Sequence, residues 1–69
     1  MHLEALREAN LAALDAICTE RRANLDAMAV AVAAGQDRWP YLRVANDLTK
    51  RFNALTNERY ELTMALLNR

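Results

Sequence analysis

Gly35-Gln36-Asp37-Arg38-Trp39-Pro40-Tyr41 interrupts a chain that has no other glycine or proline. Its order is that of one helix ending and another beginning. Only glycine takes the left-handed backbone conformation cheaply, so Gly35 suits the position just past a helix C-terminus. Asp37 is a residue type that caps helix N-termini. Pro40 fits a first helical turn, where its missing N–H is no loss. The stretch therefore predicts two helices, over about 3–34 and about 40–67, joined by a turn at 35–39. So short a connection folds them antiparallel, with Leu25 near Leu48 and Ile17 near Leu55. The expected fold is all-α: an antiparallel two-helix hairpin forming one domain over 1–69, which pairs with a second copy as a four-helix bundle.

Working outward, both flanks are periodic. A leucine–acid–alanine–apolar run recurs every eleven residues as Leu3-Glu4-Ala5-Leu6, Leu14-Asp15-Ala16-Ile17 and Leu25-Asp26-Ala27-Met28. That period is close to that of a straight helix. Beyond the turn, Leu48-Thr49, Leu55-Thr56 and Leu62-Thr63 recur every seven, the coiled-coil spacing. The expected apolar stripe of the first helix is Leu3, Leu6, Leu14, Ile17, Leu25, Met28 and Val32, flanked by Leu11 and Cys18. That of the second is Tyr41, Ala45, Leu48, Phe52, Leu55, Leu62 and Leu66, widened by Tyr60, Met64 and Leu67. Ala5, Ala9, Ala12, Ala16, Ala23 and Ala27 form a further row, either solvated filler or a second packing face.

Polar residues interrupt the stripes. Arg21 and Asn10 project onto the first, Arg59 onto the second. An isolated buried charge is costly, so each arginine should be paired or reach water. A bridge from Arg59 to Asp15 fits the hairpin level. These residues either fix register, as a polar seam residue does in a coiled coil, or grip an anionic ligand or partner carboxylate. The expected core and dimer seam is thus Leu14, Ile17, Arg21, Leu25, Met28, Leu48, Phe52, Leu55, Arg59 and Leu62.

Sixty-nine residues support a marginal core, and the usual reinforcements are scarce. With one cysteine there is no intrachain disulfide, and with one histidine, His2, too few ligands for a Cys/His metal site. Cys18 reads as a small buried hydrophobe. Association with another chain is the remaining support. Nine basic residues balance nine acidic ones, which disfavours nucleic acid as a partner. The first helix is mildly acidic and the second mildly basic, which favours their pairing. Met1-His2-Leu3-Glu4 lacks the start of a signal peptide, and the uncharged run 27–36 is too short for a membrane span. The expected location is the cytoplasm. No catalytic, cofactor or metal motif emerges. Trp39, Pro40 and Tyr41, beside Arg38 and Arg43, either plug the end of the bundle or form a protein-binding hot spot, for which Trp, Tyr and Arg are the enriched types.

Three resemblances bear on function. Ala5-Leu6-Arg7-Glu8, Ala13-Leu14-Asp15 and Glu20-Arg21-Arg22 look superficially like the first helix of the intertwined helical chorismate mutases. The spacings differ, and there is no room for that family's third helix. An enzyme would have to assemble a site across a dimer from Arg21, Arg59 and a carboxylate. The hairpin and its Gly35-Gln36-Asp37 turn are similar to the small co-chaperones of type III secretion needle subunits. The whole-chain layout around Gly35 and Trp39-Pro40-Tyr41 resembles the small quorum-sensing anti-activators encoded by Pseudomonas phages. That resemblance implies a non-enzymatic helical dimer in the host bacterial cytoplasm. It would inhibit a LuxR-type transcription regulator and the type IV pilus assembly ATPase. The surface expected to meet such a host protein is Arg38, Trp39, Tyr41, Arg43, Asp47, Lys50, Glu58 and Glu61. A secretion co-chaperone and a nucleic-acid-binding four-helix bundle are the alternatives.

Overall fold

A computed structural model describes residues 2–69; Met1 of the expected domain lies outside the described residues. The chain is a hairpin of two helices, α1 (His2–Ala33) and α2 (Trp39–Leu67), packed along their whole length. α1 ends one residue earlier than expected and α2 begins one earlier, so the turn is 34–38. Gly35 has φ +75°. Its N–H donates to the Val32 carbonyl at 3.0 Å, and the Gln36 N–H donates to that of Ala31 at 2.8 Å. This pair of bonds is the Schellman arrangement, which satisfies carbonyls that a helix end otherwise leaves open. The Asp37 Oδ1 accepts the Trp39 N–H at 3.0 Å, a bond of the turn itself; the N-cap position is Arg38, which makes no side-chain capping bond, rather than the expected Asp37. Pro40 stands in the first turn of α2, where its missing N–H removes no helical bond.

The seam follows a seven-residue period on both helices. On α1 the inward rows are Leu3, Asn10, Ile17, Asn24 and Ala31, and beside them Leu14 and Met28. All of these are buried or half-buried. On α2 they are Tyr41, Leu48, Leu55 and Leu62, and beside them Ala45, Phe52 and Leu66, again buried or half-buried. Ile17 and Leu55 line one shallow cavity, as the hairpin level requires. Asn10 and Asn24 donate through Nδ2 to the carbonyls of Leu55 and Tyr41, each at 2.9 Å. The two donors are fourteen residues apart, and so are the two acceptors. A slip of one residue between the helices would break both bonds.

Several expected seam residues lie elsewhere. Leu25 is 53% exposed, and Leu6 and Val32 are also exposed. Cys18 is exposed rather than buried. Arg21 and Arg59 occupy seam positions by spacing, yet both are exposed. Arg21 lays its guanidinium 5.1 Å from the centroid of the Phe52 ring, a cation–π contact that keeps the charge wet while its stem covers the seam. Arg59 makes no bridge to Asp15. The ion pairs among the described residues are Arg51–Glu20 at 3.5 Å and Arg69–Glu4 at 2.7 Å. The second of these closes the open end of the hairpin. The Arg69 guanidinium, chiefly through its hydrogen bond, lowers the Glu4 carboxyl below its ordinary 4.5.

The hairpin measures 55 × 15 × 12 Å and exposes 5321 Å². A compact monomer of 7.8 kDa would expose about 4,400 Å². The elongated shape thus leaves about 900 Å² more surface in water than a globule of the same mass.

Candidate interaction surfaces

Three surfaces remain once the seam is formed. The first is the turn and the outer face of α2. Trp39 is 63% exposed, so within the hairpin the indole plugs nothing. The Schellman turn and the Asp37–Trp39 hydrogen bond hold it at the tip, with Arg38 and Pro40 exposed on either side of it in sequence. Arg43, Asp47, Lys50, Glu58 and Glu61 are all exposed. At 3.6 residues per turn Arg43, Asp47, Lys50 and Glu61 fall on the side of α2 away from the seam, while Glu58 lies on its flank, one heptad beyond Arg51. Tyr41 differs from the other residues expected here. It is half-buried at the seam, and its carbonyl accepts the Asn24 amide. Tyr41 therefore does not belong to the expected surface.

The second surface is a row on α1. Leu11, Cys18, Leu25 and Val32 are spaced by seven and lie beside the seam rather than in it. Leu11 is 36%, Leu25 53% and Val32 45% exposed, and Cys18 is exposed. Cys18, Arg21, Arg22, Leu25 and Asp26 line a shallow depression of about 280 Å³ on this row. A soluble helix normally turns one such stripe to its core; α1 carries two. The sequence holds this signal in plain view, because Leu11 and Cys18 were expected to flank the seam, but Leu25 and Val32 were placed within it.

The third surface, on the opposite flank of the hairpin, is an open groove of about 400 Å³ lined by Ala13, Ala16, Ile17, Arg51, Ala54 and Leu55. Three of its six lining residues are alanines, and the Arg51–Glu20 pair crosses beside it. The alanine row expected from the sequence lies partly here, exposed at Ala9, Ala16, Ala23 and Ala27.

Among the described residues, no group of three or more His, Cys, Asp or Glu side chains is placed to hold a metal ion, and no helix is long and apolar enough to cross a membrane. Asn24 and Ala31 are inward-facing residues that the apolar stripe omitted. Their signal was the seven-residue step from Asn10 through Ile17. Compared with protein-family models, curated proteins and solved structures, the chain matches none.

Proposed function

We propose that the chain is a non-enzymatic protein-interaction module that works as a homodimer of hairpins. It inhibits a host protein by occupying its surface one-to-one. The observation that carries this reading is the tip: a tryptophan, 63% exposed, on a hydrogen-bonded turn and followed by exposed residues of mixed charge on α2. An exposed indole beside arginine is the composition of a binding hot spot. Flanking opposite charges give a partner orientation and rate of encounter more than raw affinity. The resemblance to phage anti-activators supplies the partner class: a LuxR-type transcription regulator, whose DNA binding the complex would block, with the type IV pilus assembly ATPase as a second target. The module would then act in the host bacterial cytoplasm.

The test is a competition. Purified regulator is bound to its operator DNA, and the hairpin is titrated in. The reading predicts release of DNA at one hairpin chain per regulator chain. Trp39→Ala and Arg43→Glu should each weaken release at least about tenfold while far-UV circular dichroism stays unchanged. Release by both variants at wild-type concentrations would sink the assigned surface. No release by the wild type would sink the partner class.

The exposed α1 row favours one further reading, a secretion co-chaperone whose apolar face takes up a client. In that case the purified chain alone would aggregate or remain monomeric, and a needle subunit would be needed to give a defined complex.

A further inference from the structure

We propose that the homodimer forms through the Leu11–Cys18–Leu25 row of α1, antiparallel, with its twofold axis at Cys18. The proposal rests on the homodimer reading above and says which face and which register make it.

Area comes first. The hairpin exposes about 900 Å² beyond what a compact monomer of its mass would, and a stable interface covers about 800 Å² on each partner. From Leu11 to Val32 the row runs roughly 32 Å at 1.5 Å per residue. It carries three exposed aliphatic chains of α1, Leu11, Leu25 and Val32, on one line, while Leu6 and Val30 are exposed off it. The groove on the other flank, half of whose lining residues are alanine, has the Arg51–Glu20 pair beside it.

Charge then sets the register. Asp15 and Arg22 stand one heptad apart along the same edge of the row. Both are exposed, and neither makes an ion pair among the described residues. In an antiparallel twofold pair, each edge of the interface meets its own counterpart running the other way. An axis at Cys18 sets Leu11 against the partner's Leu25. It also sets Asp15 against the partner's Arg22, and by symmetry Arg22 against the partner's Asp15. The small Cys18 side chain lets the helices approach closely at the axis. The competing register, with the axis between Arg21 and Arg22, would match Leu11 with the partner's Val32 and Cys18 with the partner's Leu25. It would also bring Arg22 against the partner's Arg22, a like-charge contact that selects against it. In the Cys18 register Val32 falls opposite the partner's Glu4, whose charge Arg69 already balances.

Sedimentation equilibrium at low ionic strength tests this on the whole chain. Four variants are needed: Leu25→Glu, Asp15→Arg, Arg22→Asp, and the double swap Asp15→Arg/Arg22→Asp. All three positions are exposed in the hairpin, and circular dichroism checks that helix content is kept. The wild type should sediment as a dimer and Leu25→Glu as a monomer. Each single charge reversal should weaken dimerisation about tenfold, since each replaces two attractions by two repulsions. The double swap should return it to within about twofold of wild type. A monomeric wild type would overturn the homodimer reading and this interface together. A Leu25→Glu dimer as tight as wild type would leave the homodimer standing and overturn the face. Charge reversals that change nothing, or a double swap weaker than either single, would overturn the register.

Discussion

Asn10 is the most informative single residue. It is 2% exposed, its Nδ2 donates to the Leu55 carbonyl, and its Oδ1 has no partner. A buried acceptor left unpaired costs roughly 1–3 kcal/mol, more than the roughly 0.5–1.5 kcal/mol that one amide hydrogen bond returns. Asn10 therefore fixes the helices' relative position at a cost to stability, the role of a polar seam residue in a coiled coil. Its sequence already marked it as an interruption of the stripe; what the sequence withheld was Asn24, which repeats the same bond one helical stretch away. The interruptions legible in the sequence include Asn10 and omit Asn24. The account predicts that Asn10→Leu raises hairpin stability by about 1–2 kcal/mol in urea denaturation. The Asn24 bond would then be the remaining lock on register. A loss of stability would mean that the Leu55 bond outweighs the orphaned oxygen.

The elements show why one stripe was read correctly and the other was not. On α2 the leucine–threonine repeat has the period of the seam itself, so Leu48, Leu55 and Leu62 all face inward. On α1 the conspicuous leucine–acid–alanine repeat has period eleven. Relative to a 3.5-residue seam, each such step advances about a seventh of a turn. Leu3 lies in one row of the seam and Leu14 in the other, and Leu25 has walked out of it. The true inward rows were hidden because asparagine, alanine and arginine share them with Leu14, Ile17 and Met28. This separation is measurable. Ile17→Ala should cost the hairpin about 2–4 kcal/mol, since the side chain is 2% exposed and its removal leaves a cavity. Val30→Ala should stay within about 0.5 kcal/mol, because Val30 is 71% exposed. Chemical denaturation of the two variants side by side decides it; equal effects would refute the seven-residue assignment of α1.

At the scale of the whole molecule, the seam fully buries few side chains. Leu14, Ile17, Ala31 and Leu48 are the buried apolar residues among those described. Sixty-nine residues with so thin a core are marginal alone, and the row from Leu11 to Val32 is apolar surface that a second copy would cover. The surface proposed for a different partner was legible as composition, in Trp39 beside arginines. Its shape was not, because only the Schellman turn at Gly35 and the Asn24–Tyr41 bond send Trp39 outward and Tyr41 to the seam. The proposed self-association on α1 and the proposed recognition by the tip and α2 would use separate faces and would not compete. The central claim is that the hairpin draws its stability from a second copy of itself. The most direct measurement is the thermal midpoint, followed by circular dichroism, across a hundredfold range of protein concentration. Folding coupled to dimerisation predicts a rise of about 5 °C for each tenfold increase. A midpoint that stays constant across the range would contradict the claim and mean that the hairpin stands alone.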